Sequence, residues 1–289
     1  MGEWRIDPPQ WWVAGFVMLF LLAFAATWPV MRAEGFGWYR EFNRRKAERD
    51  TRHWRLLEGK QVTLRYCDED AKLAPKVLRD TERIYPQVTH MVGYQPTVKP
   101  LVLLYPDRES FNGVFGWKDQ SAMGVYYAGV VRVLTPRLWS HDDVDMTGPM
   151  AHELAHMVLD YQTGGNIPRW LTEGVAQEAE RRLSGFTLSR PKGDWAERLY
   201  PFEAMDDGFD NLEDQRLAYR QSLLAVDVLR DAGPKTLNKT IDKLAAGASI
   251  SDAIAEATGW DWGTFVQKVY ATAQRESDGR RSGKIDLRE

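Results

Sequence analysis

The sequence predicts an α+β domain, a small mixed sheet with helices and then a helical C-terminal half, behind an N-terminal transmembrane helix. Three observations carry this prediction. Residues 11–31 hold no charged side chain. Short apolar or alternating runs bounded by Gly and Pro fill residues 61–135. From Thr147 onward apolar residues recur at helical spacing, with Gly or Pro between the segments.

As a helix, residues 11–31 rise roughly 31 Å, the thickness of a bilayer's hydrocarbon core. Trp11, Trp12 and Trp28 stand near its ends, where indoles prefer the interface. A cleaved signal peptide is the rival reading, but the only base ahead of the run is Arg5, offset by Glu3 and Asp7. Arg32, Arg40, Arg44, Arg45, Lys46 and Arg49 follow the span. That bias favours a cytoplasmic domain, with an extracytoplasmic one as the alternative. The expected layout is a tail at 1–10, an anchor at 11–31, a basic juxtamembrane helix at 32–59, a folded domain at 60–275 and a flexible tail at 276–289.

Within the domain, residues 61–66 read as a strand and 71–92 as an amphipathic helix bent at Pro86. Residues 101–105 form an apolar strand stopped by Pro106-Asp107, and residues 124–135 a hairpin or two short strands closed by Pro136. Thr147 is the expected cap of the next helix, with Gly148-Pro149 in its first turn and Gly164-Gly165 as its stop. Further helices are expected over 216–231, 235–245, 251–257 and 263–275.

Composition removes several function classes. The chain has 289 residues, 44% hydrophobic and 27% charged, so wholesale disorder is excluded. Lys and Arg number 38 against 41 Asp and Glu, for a net charge of −3, which supplies no basic excess for nucleic acid. Cys67 is the only cysteine, so no intrachain disulfide or thiolate zinc cage can form. Its acidic neighbours Asp68, Glu69 and Asp70 argue against a nucleophilic thiolate.

The chemistry sits in His152-Glu153-Leu154-Ala155-His156, an H-E-x-x-H sequence in the predicted helix. Residues four apart on a helix differ by about 40° in direction and roughly 6 Å in height, so both imidazoles can reach one metal ion. Glu153 leaves the rim of that face, where it can hold an attacking water. A catalytic zinc takes a third protein ligand. Glu173, in Pro168-Arg-Trp-Leu-Thr-Glu-Gly, is the best candidate, because a second helix returning from Pro168 brings it level with His156. Asp160 and Glu178 are the rival ligands, or second-sphere partners of the histidines. Tyr219 is the candidate oxyanion stabiliser and Tyr200 the second choice. His141 reads as a surface-loop residue, and His53 and His90 as ordinary histidines.

H152-E-L-A-H156, sixteen residues and then W170-L-T-E173-G resembles the gluzincin zinc metallopeptidases, and within them the bacterial peptidase MA-like domains. The likeness runs loosely over residues 60–270. It takes in the Gly-x-Tyr-x-x-Gly stretch at residues 124–129 and the Ala218-Tyr219-Arg-Gln-Ser222 opening of a later helix. The resemblance implies a zincin-like fold, a Zn²⁺ cofactor held by His152, His156 and Glu173, and Glu153 as general base. It also implies a strand around residues 130–134 lining the cleft and pairing with an extended peptide. The Gly-x-Met-Glu-Asn stretch of gluzincin aminopeptidases is missing, since no Glu-Asn follows Met123-Gly124, so an endopeptidase-like cleft is the default. The expected function is a membrane-anchored zinc metallopeptidase acting on peptide or protein substrates through a zinc-activated water. A tethered binding or scaffold module without turnover and a non-peptide amide hydrolase are the alternatives. Substrate identity and oligomeric state are not legible.

Overall fold

A computed structural model describes the backbone of residues 11–118, 122–139, 145–191 and 193–281. Side chains are described from residue 31 to 278 within those limits, together with Met18. Helix α1 (Trp11–Asp50) is continuous. The expected transmembrane segment falls in its first half, where all side chains but those of Met18 and Met31 lie outside the described residues. Among the described residues no helix is long and apolar enough to cross a membrane.

The expected juxtamembrane helix at 32–59 ends early, at Asp50. Its last residues form strand β1 (Arg55–Glu58), which pairs antiparallel with β2 (Thr63–Tyr66). Helical composition loses here to ladder hydrogen bonds that only the neighbouring strand can supply. An edge at residue 60 would therefore cut β1 from the sheet. Next come α2 (Ala74–Val92), with Pro86 inside it, and β3 (Leu101–Tyr105). A short helix not foreseen from sequence, α3 (Arg108–Gly113), starts where Asp107 accepts the Ser110 amide at 2.7 Å. The expected hairpin is β4 (Gly124–Tyr127) and β5 (Val130–Leu134). Its two-residue turn, Ala128-Gly129, has φ of 41° and 86°, the positive pair that twists strands into a tight hairpin.

The sheet order is β1-β2-β3-β5-β4, with β2, β3 and β5 parallel and each outer strand antiparallel to its neighbour. This corrects one expectation. β5, at residues 130–134, is interior, so the free edge that an extended peptide can join belongs to β4. The Leu134 amide bonds the Met123 carbonyl at 2.9 Å, which sets the phase so that Gly124 and Tyr126 turn their backbone groups outward.

Helices α4 (Thr147–Thr163), α5 (Arg169–Ser184), α6 (Gln215–Asp231), α7 (Thr236–Ala245), α8 (Ile250–Thr258) and α9 (Trp262–Arg281) build the second half. α4 begins differently from the reading of Thr147 as its cap. Asp145 accepts the Thr147 amide at 2.8 Å, and the Thr147 hydroxyl accepts from Arg83 at 3.0 Å. α9 runs past residue 275 because Glu276 supplies the counter-charge to Arg220, which is 5% exposed. Residues 282–289 of the expected flexible tail lie outside the described residues.

One face of the sheet packs with α2, α4, α5 and α6 in the main core, around Leu64, Val102, Val131, Leu154, Trp170 and Leu224. The other face buries Leu101, Leu103, Tyr105, Val130 and Leu134 under Phe111 of α3 and Ala47 of α1. The main-core face positions the site, because α4 lies along it beside β4.

Candidate metal centre

α4 carries His152, Glu153 and His156, and α5 runs back beside it with Glu173. Gly164 stops α4 in the left-handed conformation, φ 59°, and its amide bonds the Asp160 carbonyl at 3.0 Å. The chain then returns at once through Pro168. This short reversal makes α4 and α5 an antiparallel pair, and the pair brings the predicted residues together.

His152 Nε2 lies 3.4 Å and His156 Nε2 3.5 Å from Glu173 Oε2. One donor atom from each of these residues falls within 4.8 Å of the others. Tetrahedral zinc with bonds of about 2.0–2.1 Å holds its ligand atoms roughly 3.3 Å apart. Glu173 is 1% exposed, and its Oε2 is buried without a hydrogen-bond partner. An orphaned carboxylate oxygen facing two imidazole nitrogens is a set of donors that a cation would satisfy, and two His with one Glu suits Zn²⁺.

The outer atoms of the same side chains are held in turn. His156 Nδ1 hydrogen-bonds Thr172 Oγ1 at 2.8 Å, and His152 Nδ1 faces Glu180 Oε2 at 3.5 Å. Both contacts orient the rings so that Nε2 looks inward. Arg169, one turn before Glu173, binds Glu173 Oε1 at 3.0 Å and leaves only Oε2 free. Burial opposes charge on Glu173, but the neighbouring His156 and Arg169 outweigh it and hold its carboxyl well below the usual carboxylate range. Burial likewise opposes charge on His152, yet the Glu173 and Glu180 carboxylates raise its pKa to about 10.

Glu153 is 7% exposed and points to the edge strand, where its Oε2 accepts the Tyr126 amide at 2.5 Å. Gly124 makes room for it. A Cβ there would sit 2.9 Å from Glu153 Cγ. The candidate base and the strand edge therefore face the same space as the two imidazoles.

The rival ligands are occupied elsewhere. Asp160 accepts from the Tyr126 hydroxyl and pairs with Arg40 at 3.4 Å, while Glu178 is fully buried between Arg230 and Arg182. The Nδ1 atoms of the histidines face Glu180 and Thr172 instead. Tyr219 lies close enough to Glu173 that this charge, followed by burial, drives its phenol pKa upward. Its hydroxyl is uncommitted among the described residues. Tyr200 is not brought in, because its hydroxyl accepts the Asp214 amide at 2.9 Å and its backbone bonds Gln221. His141 lies outside the described residues. Sequence reasoning missed Arg169, Thr172, Glu180, Gly124 and Tyr126. For Arg169 and Glu180 a signal existed, since residues 169, 173 and 180 share one helix face. For the β4 residues the Gly-x-Tyr-x-x-Gly likeness marked the stretch but gave no role, because strand-to-helix proximity is not local.

Residues 88–273 match the Peptidase MA superfamily, about two thirds of the chain. The chain belongs to that superfamily. No curated protein matches it. Among solved structures, an M1 zinc metallopeptidase from Deinococcus radiodurans is 19% identical with a TM-score of 0.46, covering 76% of this chain and 50% of that one. A mutant of a two-domain M1 zinc metallopeptidase bound to L-arginine gives the same identity and TM-score, with 76% and 51% covered. A mutant from Deinococcus radiodurans bound to a Tyr-Ser-Ala substrate is 18% identical, with a TM-score of 0.44 and 78% and 51% covered. This peptidase MA superfamily chain thus spans about half the length of those structures.

Proposed function

We propose that this protein is a zinc-dependent peptidase that hydrolyses peptide bonds in the space between α4 and the β4 edge. The observation that carries the reading is the buried, unpartnered Glu173 Oε2 lying 3.4 and 3.5 Å from two imidazole Nε2 atoms. His152, His156 and Glu173 would hold Zn²⁺, which when bound supplies Lewis-acid polarisation and water activation. Glu153 takes the proton of the attacking water and returns it to the leaving amine. The outward backbone groups of Gly124 and the outward carbonyl of Tyr126, whose amide is held by Glu153, align an extended substrate by strand addition. The Tyr219 hydroxyl donates to the oxygen on which charge develops. Arg169, Thr172 and Glu180 keep the three donor side chains in place.

The proposal includes membrane attachment through residues 11–31, with the domain on the cytoplasmic side by the flanking charge. Elemental analysis of the purified chain is the deciding experiment, with near one zinc per chain expected. Glu173→Ala should lose that zinc. Glu153→Gln should keep it and lower kcat by about 100- to 10,000-fold on a peptide library. A folded protein that takes up no added zinc, or a Glu153→Gln variant with full chelator-sensitive activity, overturns the reading.

A further inference from the structure

The second half of α1 does not stand apart from the domain. Arg32 reaches the Gly165 carbonyl at 3.0 Å and the Asn166 side chain at 2.8 Å. Arg40 Nη1 donates to the Asp160 carbonyl at 2.6 Å, and its guanidinium covers the Tyr161 ring at 4.3 Å. These cations meet the C-terminal end of α4 and the loop after it, where the helix dipole favours positive charge. Asn43 donates to the carbonyls of Tyr127 and Ala128, at 3.2 and 2.8 Å, and so grips the β4–β5 turn. Gly129, at φ 86°, forms the turn against which the Arg40 backbone packs.

The Arg40 contact leads into the metal centre. Asp160, 12% exposed in its side chain, faces Arg40 with Oδ2 at 3.4 Å. The same oxygen accepts from the Tyr126 hydroxyl, which itself accepts the Gly129 amide at 2.9 Å. Tyr126 bonds Glu153 through its own amide. Glu153 and Asp160 are two turns apart on one face of α4, so Tyr126 fastens β4 to that face at both points. Arg40 supplies the charge that holds the outer one.

We propose that Arg40 is a positioning residue. Acting through Asp160 and Tyr126, it fixes the β4 edge and the orientation of Glu153, which makes the docked half of α1 part of the catalytic unit. The inference rests on the reading of Glu153 as the base. Because α1 continues unbroken to Trp11, the base is tied mechanically to whatever holds the N-terminal segment.

The test compares Arg40→Ala, Arg40→Lys and Arg44→Ala in the full chain. It reads zinc content, kcat and KM on a cleaved peptide, and hydrogen exchange of the Tyr126 amide. Arg44 also docks α1, through the Lys99 carbonyl at 2.8 Å and beside the Tyr161 hydroxyl, but among the described residues it bonds neither Asp160 nor β4. Arg40→Ala should keep its zinc, speed exchange at Tyr126 and lower kcat about tenfold or more, with KM much less affected. Arg40→Lys should recover part of both effects, and Arg44→Ala should show neither. Asp160→Asn, which keeps the shape and removes the charge, gives a second route should Arg40→Ala not fold. Wild-type exchange and kcat in Arg40→Ala, or equal losses in Arg44→Ala, would overturn the proposal. Should the wild-type chain hold no zinc and cleave nothing, faster exchange at Tyr126 in Arg40→Ala would still establish the link, and only the peptidase reading would fall.

Discussion

Glu153 sits where it does because residue 124 has no side chain. A methyl at Gly124 would meet Glu153 Cγ at 2.9 Å, and both lie on packed elements with little room to shift. Gly124→Ala should therefore lower kcat about tenfold or more while leaving zinc content unchanged. Wild-type kcat in that variant would show that the carboxylate can move without cost. Cys67 is governed by its surroundings in the opposite sense. Burial first, then the charges of Glu69 and Asp70, push its thiol up to about 11. The thiolate is the reactive form, so alkylation should be slow at pH 7 and rise about tenfold per pH unit until pH approaches 11. Rapid labelling at pH 7 would contradict this. At this scale the clustering of His152, His156 and Glu173 was legible, because H-E-x-x-H spacing is helix geometry written in sequence. Gly124 was not, since its constraint comes from a carboxylate 29 positions away.

At the scale of elements, the helix–strand boundary near residue 54 is the instructive case. Residues 55–58 carry charge and leucine that suit a helix, yet the exposed edge of β2 recruits them as β1. Trp54 marks the change, its ring edge-on to Tyr105 at 5.0 Å. α1 is likewise bound to the domain rather than merely preceding it, through Arg32, Arg40, Asn43 and Arg44 and through Ala47, which is 5% exposed. A fragment starting at residue 54 loses all of these contacts, whereas one starting at residue 32 keeps them. The shorter fragment should be less stable by about 2 kcal/mol or more in urea unfolding. Equal midpoints and slopes would show that the docked helix contributes nothing.

Across the whole molecule, α9 closes the helical half against α6. Arg220 is 5% exposed, and Glu276 binds it through both carboxylate oxygens. Glu276→Ala leaves a buried guanidinium without its partner and should cost about 3 kcal/mol of folding stability, measured by denaturant unfolding. A loss below about 1 kcal/mol would mean that water or Arg220 itself rearranges to meet the charge.

The residues alone determined the α+β class, the helical second half to within a few residues and the three donor side chains of the candidate metal centre. Each of these is encoded in short-range periodicity or in spacing along one helix or one helical hairpin. Tertiary structure alone decided that β4 and not β5 is the free edge, that Asp160 serves α1, that Glu180 and Thr172 back the histidines, and that residues 276–281 stay helical. Those outcomes depend on which distant groups meet, through strand order, an unpaired buried charge or a glycine's open space. Such meetings leave no periodic trace along the chain, because their energy comes from contacts between elements rather than within them.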